Sequence, residues 1–254
     1  MDVTRRLALA AGSIGLAALV ALPVSAFGQV GAGEGFLFGP PKGTFTLRMG
    51  VSQPNASGDP FSFFSNELTL SKSSYTAFDV AGDLAFTVAP RLDLVITAGW
   101  EGSQAPSEMR HWLDQNDEPI RQTTTFQRVP LTVSLKLYLR PRGRSVGRFA
   151  WVPTSGVIPY VGAGGGIMYS RIHQWGDFVD YTDTTIFSDS YASESWTGTA
   201  HVFAGAELPL GPRFVMSAEA RYAYAKTPLG PDFYGFGDMD LSGFSVTLGM
   251  GVRF

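Results

Sequence analysis

The stretch FSVTLGMGVRF, residues 244–254, carries an apolar side chain at every even position: Phe244, Val246, Leu248, Met250, Val252 and Phe254. Its odd positions, Ser245, Thr247, Gly249, Gly251 and Arg253, are small or polar. Successive side chains of an extended chain point to opposite faces. A strict period of two therefore makes a strand with one continuously apolar face.

Seven further segments repeat the pattern. Phe45, Leu47, Met49 and Val51 share a face over residues 44–52, and Phe78, Val80, Leu84, Phe86 and Val88 do so over 76–88. Leu92, Leu94, Ile96, Ala98 and Trp100 mark the third segment. The fourth alternates without a break through Val129, Leu131, Val133, Leu135, Leu137 and Leu139, opposite Arg128, Thr132, Ser134, Lys136 and Tyr138. Val161, Ala163, Ile167 and Tyr169 mark the fifth, over 158–171, and Ala200, Val202, Ala204, Ala206 and Leu208 the sixth, over 197–208. Phe214, Met216, Ala218, Ala220, Tyr222 and Tyr224 mark the seventh.

Ala89-Pro90-Arg91 and Pro209-Leu210-Gly211-Pro212 read as tight turns, between strands two and three and between six and seven. The gaps between strands one and two, three and four, five and six, and seven and eight run to roughly twenty residues or more, as loops at the opposite end would. Short turns at one end, long loops at the other and an even strand number predict an up-and-down antiparallel barrel with both termini at the short-turn end. Residues 140–157 break the plan, because a long stretch falls where a short turn is expected. Aromatic residues near the predicted strand ends (Phe45, Trp100, Phe149, Trp151, Tyr160, Trp196, Phe214, Tyr222, Tyr224, Phe254) suit the two interfaces of a membrane. A soluble lipocalin-like barrel, apolar face inward, is the competing reading.

This all-β pattern, and the closing strand above all, resembles the small outer-membrane β-barrel superfamily of the OmpA/OmpX type. The resemblance implies an eight-stranded transmembrane barrel in the outer membrane of a Gram-negative cell. It implies a closing strand read by the barrel insertion machinery, here through Phe244, Val246, Leu248, Val252 and Phe254. Outer-membrane lipids and lipopolysaccharide are then the implied surroundings. Members serve as anchors, adhesins, porin-like pores and occasionally lipid enzymes, and a shared fold does not choose among these.

The front of the chain fits export. Arg5 and Arg6 precede an apolar run from Leu7 to Leu22, and Pro23 precedes Val24-Ser25-Ala26, small residues at a cleavage site. Residues 1–26 read as a signal peptide, 27–43 as a flexible Gly- and Pro-rich leader, and 44–254 as the barrel. Removing residues 1–26 leaves 17 basic and 21 acidic residues. That balance does not suit nucleic acid as a partner. The chain has no cysteine, so it has neither disulfides nor thiolate metal sites.

If the apolar faces meet lipid, the lumen holds Arg48, Asp79, Asp83, Asp93, Lys136, Glu207, Glu219, Arg221 and Arg253. Eight strands leave an interior just wide enough for side chains to fill. Ions there must pair, since an unpartnered charge in a dry interior costs several kcal/mol. A salt-bridged network with Arg221 and Glu219 near its centre is expected. Gly162, Gly164 and Gly166 fall on the same inner face and are expected to make room for large neighbours such as Tyr138 or Phe203.

No constellation demands catalysis, a metal or a cofactor. The three histidines are scattered. His201 is expected in the lumen, and His111 and His173 in or beside outer loops. The predicted outer loops are rich in acid, with Asp177, Asp180, Asp183, Asp189 and Glu194 between 172 and 195, whereas 140–157 carries Arg140, Arg142, Arg144 and Arg148. The reading is a non-enzymatic integral barrel with a structural or surface-interaction role and a surface ligand of unknown chemistry. A lipid A-modifying enzyme and a small-solute pore are the alternatives.

Overall fold

A computed structural model describes residues 35–254, and the expected signal peptide lies outside the described residues. Eight strands close into a ring: β1 (Gly43–Pro54), β2 (Ala77–Ala89), β3 (Leu92–Leu113), β4 (Pro119–Tyr138), β5 (Ile158–Val179), β6 (Ile186–Pro209), β7 (Phe214–Thr227) and β8 (Gly243–Arg253). Each pairs antiparallel with its sequence neighbours. The ring shuts through β8 on β1, where Gly249 faces Arg48 and Val246 faces Val51. Closure leaves no unpaired edge, which an apolar medium requires. Among the described residues no helix is long and apolar enough to cross a membrane, so any crossing is made by strands.

The ring is apolar outside and polar inside. Leu131, Val133, Leu135 and Leu137 on β4 and Val246, Leu248 and Met250 on β8 all stand exposed on its outer wall. Arg48, Asp83, Asp93, Glu207, Glu219 and Arg253 are buried within it. A soluble barrel would reverse this arrangement, so the lipocalin-like alternative is excluded. The outer belt ends upward at Gln53, Gln104, Gln127, Arg171, Glu194 and Lys226, which occupy the outer face one or two steps beyond its last aromatics and aliphatics. Phe78, Trp100, Tyr169, Trp196, Tyr222 and Phe244 ring the upper rim. Phe45, Phe86, Phe214 and Phe254 ring the lower one.

Four strands are much longer than their alternation suggests. β3 and β4 continue beyond the rim and turn over only 114–118, and β5 and β6 turn over 180–185. The expected outer loops at 101–127 and 172–196 are therefore largely β-hairpins. They were hidden because the hydrophobic phase inverts at the rim. Below it the outward side chains are apolar. Above it the inward ones are, with Ala105, Met109, Phe126 and Ile172 buried while Gln104, Thr123 and His173 face water.

Those inward residues form a core above the lumen together with the helix α1 (Asp59–Glu67) from the β1–β2 connection. Phe61 of α1 packs edge-on against Tyr75 at 5.0 Å and Phe126 at 5.9 Å between ring centroids. Phe64, Phe233, Met239 and Leu241 complete the lid. The β1–β2 and β7–β8 connections are thus packed segments that roof the barrel. Burying a side chain of this size contributes about 1.5–3 kcal/mol, so the roof is a stable head.

The insertion at 140–157 folds at the opposite end. Gly143–Val146 and Ala150–Pro153 form a hairpin, and Leu37–Phe38 of the leader adds a third strand, with Leu37 opposite Trp151. The described end of the leader is accordingly held in a sheet, where a loose segment was expected. One face of this sheet carries Leu37 and Trp151, both buried. Trp151 and Tyr160 are therefore interior residues and belong to neither aromatic ring.

Candidate functional site

Inner-face parity brings the lumen residues together in three tiers. In the middle, Arg48 of β1 grips Asp83 of β2 with both arms, Nε to Oδ2 at 2.6 Å and Nη2 to Oδ1 at 3.0 Å. Its Nη1 donates to Glu219 Oε1 of β7 at 3.0 Å and to Thr247 Oγ1 of β8 at 3.1 Å. Arg221 donates to the same Glu219 oxygen at 2.9 Å, and Tyr160 to the other at 3.1 Å. Thr97 donates to Asp83 at 2.7 Å. Arg48 is the hub, since it links β1, β2, β7 and β8 through charge-assisted bonds.

The lower tier sits over the short-turn end. Lys136 donates to Glu207 Oε1 at 2.6 Å and lies 3.8 Å from the centre of the Tyr160 ring. Arg253 reaches Glu207 Oε2 at 3.5 Å and lies 5.7 Å from the Trp151 ring centre. Asp93, wholly buried, accepts from Arg142 Nη1 at 2.8 Å and lies 3.1 Å from the Tyr138 hydroxyl. Arg142 also donates to Thr87 at 3.0 Å. The insertion thus pushes an arginine up into the mouth of the barrel.

The upper tier is Arg128, paired with Glu101 and donating to Ser52 at 2.7 Å and to the Leu241 carbonyl at 2.6 Å. Asp79 is buried on the same wall. Arg128 was expected on the polar face of the fourth segment but not in the lumen network, and Glu101 was not expected there either, although inner-face parity carries the signal for both. Arg142 had none, since it belongs to no barrel strand. Between the middle and lower tiers lies a lumen cavity of about 10 Å³, room for about one water.

Gly162 is needed where it stands: a Cβ there would lie 2.2 Å from the Phe203 ring and 2.6 Å from the Leu135 carbonyl oxygen. The histidines fall in different surroundings. His201 is buried in the lumen, its Nε2 2.8 Å from Ser134 Oγ. His173 lies on the outer face of the β5–β6 hairpin, with Nε2 2.8 Å from Ser190 Oγ and its ring stacked on Trp175 at 4.7 Å. Partial burial, with Arg171 nearby, lowers its pKa and so favours the neutral ring. His111 is exposed on β3 near the tip. Among the described residues no cluster of three His, Asp or Glu side chains could hold a metal ion.

The two ends differ in charge. The segments above the rim, residues 54–76, 105–126, 172–193 and 227–242, carry thirteen Asp and Glu against three Lys and Arg, while residues 140–157 carry four Arg and no acid.

No protein-family model matches the sequence, and no curated protein does. Among solved structures, the chain is similar to the outer membrane protein OprG from Pseudomonas aeruginosa, at 16% identity over 85% of this chain and 98% of that one, with a TM-score of 0.44. It is similar to Neisserial surface protein A at 11% identity over 84% and 96%, TM-score 0.43. It is also similar to the outer membrane protease OmpT from Escherichia coli at 10% identity over 85% and 98%, TM-score 0.40. The fold stands on this chain's own geometry. Eight antiparallel strands closed around an ion-paired lumen, with an apolar belt between two aromatic rings, are the architecture of a small outer-membrane β-barrel.

Proposed function

We propose that the protein is a non-conducting, non-enzymatic barrel that anchors a folded head on the cell surface for interaction with a ligand there. The observation that carries this reading is the lumen, filled by three tiers of ion pairs, roofed by the α1 and β7–β8 segments and closed below by Arg142 and Trp151. A solute would have to displace paired charges whose uncovering costs several kcal/mol each. Such a barrel supplies a rigid mount, and the long hairpins supply the surface. The lumen ion pairs would hold the barrel together. The closing-strand residues Phe244, Val246, Leu248, Val252 and Phe254 would serve insertion.

The test is reconstitution of the detergent-purified protein in a planar bilayer. No discrete conductance steps are expected; regular steps at modest voltage would overturn the closed-barrel reading.

One observation favours the lipid-modifying alternative. His173 and Ser190 form a base–hydroxyl pair just above the membrane rim, and a neutral imidazole is the competent form. Among the described residues no carboxylate is hydrogen-bonded to the ring, which is stacked on Trp175. Mass analysis of lipid A from cells expressing the protein decides it. Identical lipid A with wild type and Ser190→Ala supports the non-enzymatic reading, while loss of a modification in the variant would replace it.

A further inference from the structure

Above the rim, the outer wall of the β3–β4–β5 sheet is concave. A groove of about 470 Å³ opens there, bounded by Thr69, Pro106, Glu108, Arg121, Thr123 and Trp175. This volume lies within the roughly 300–1,000 Å³ of ligand clefts. Thr69 borders it because the β1–β2 connection adds to the edge of β3, with Glu108 N donating to Thr69 Oγ1 at 2.9 Å and Thr69 N to the Glu108 carbonyl at 2.9 Å. Thr123 and Trp175 are directly cross-strand neighbours, as are Glu108 and Arg121.

Three features restrict what the groove fits. Trp175 supplies a flat apolar wall, and the stacked His173 ring holds the indole in place. Opposite it, Arg121 Nε and Glu108 Oε1 are 3.6 Å apart with side chains 73% and 47% exposed, so most of their donors and acceptors remain open to a ligand. The groove also faces sideways, only a few residues above Gln104, Gln127 and Arg171, at the height of the sugars that cover an outer leaflet. An acyl chain would have to desolvate the Glu108–Arg121 pair. An anion would meet an arginine already facing a carboxylate, on a head dominated by acids. A sugar ring has what the site asks for: an apolar face of C–H groups for the indole and a rim of hydroxyls for a carboxylate, a guanidinium and threonines.

We propose that this groove binds a neutral sugar unit of a glycan, either in the lipopolysaccharide beside the barrel or free at the surface. The proposal builds on the surface-interaction reading by naming its ligand chemistry.

The test is calorimetric titration of the whole protein in phosphatidylcholine nanodiscs. Two probes are used, core oligosaccharide released from lipopolysaccharide by mild acid and maltotriose. Saturable binding of the oligosaccharide alone would assign the sugar to lipopolysaccharide, and binding of maltotriose would assign it to free glycans. Trp175→Ala should weaken binding about tenfold and Trp175→Phe by less. Thr123→Arg, which fills the floor and covers the indole from the neighbouring strand, should abolish it. Each variant is first shown to keep its heat-dependent shift in gel mobility. Absence of saturable binding to both probes, or wild-type affinity in Trp175→Ala or Thr123→Arg, would overturn the sugar site. Either result would leave the bilayer measurement, and so the closed-barrel reading, untouched.

Discussion

Arg142, from the insertion after β4, donates to Asp93 on the inner wall of β3 at 2.8 Å, and Asp93 has no exposure to solvent. A segment outside the barrel thus neutralises a charge inside it. Arg142→Ala leaves that carboxylate without its cation and is expected to cost about 3–5 kcal/mol. Equilibrium urea unfolding in lipid vesicles checks this. Adding Asp93→Asn to the Arg142→Ala variant should recover part of the loss, because no unpaired charge then remains. Additive losses would argue that the two side chains are not coupled.

Arg48 ties Asp83 to Glu219 across the middle of the lumen. Arg48→Ala should also cost about 3–5 kcal/mol. Arg48→Lys should fail to restore the barrel fully, since an ammonium cannot reproduce the two-armed grip on Asp83. A lysine variant as stable as wild type in the same urea assay would count against the hub role.

Depth should be readable on the outer wall of β4. An arginine at Val133, in the middle of the apolar belt, should cost about 2–4 kcal/mol, and one at Gln127, on the rim, about 0–1 kcal/mol. Equal costs at the two positions would contradict the placement of the belt.

Glycines offer a paired test of strand approach. A Cβ at Gly164 would lie 2.3 Å from the Val133 carbonyl oxygen, whereas one at Gly198 meets nothing within 4 Å. Gly164→Ala should destabilise by about 1–3 kcal/mol, because backbone must move. Gly198→Ala should stay within about 0.5 kcal/mol of wild type.

The tip of the β3–β4 hairpin should depend on pH. Backbone N–H groups of Glu118 and Asn116, each 2.8 Å from Asp114 Oδ1, hold that carboxyl below its ordinary value of 3.8. A depressed folded value means the ionised form is the one the turn prefers. The contribution is therefore complete above the ordinary value and is lost as pH falls through the folded one. Carboxyl carbon NMR titration should show Asp114 titrating below 3.8, with amide exchange at 114–118 quickening over the same interval. Titration at or above 3.8 would contradict the turn geometry.

Phe244 to Phe254 and its seven counterparts determined the strand count, the antiparallel order and which side chains share a wall, while the closed ring decided that the apolar wall is the outer one. Local sequence suffices for the former, because a period of two fixes the face of every side chain, and lipid imposes one uniform demand on the outer face. The same parity placed Arg48, Asp83, Asp93, Lys136, Glu207, Glu219, Arg221 and Arg253 on the inner wall. Which of them pair is a matter of cross-barrel distance, which one strand's pattern does not contain. The hairpins above the rim were illegible because water outside and a packed head inside invert the apolar phase at Gln127 and Arg171, and a reversed alternation reads as a loop. Only the tertiary structure decided that residues 140–157 close the lower mouth. Arg142 meets Asp93, and Trp151 meets Arg253, through contacts that depend on the ring having already closed.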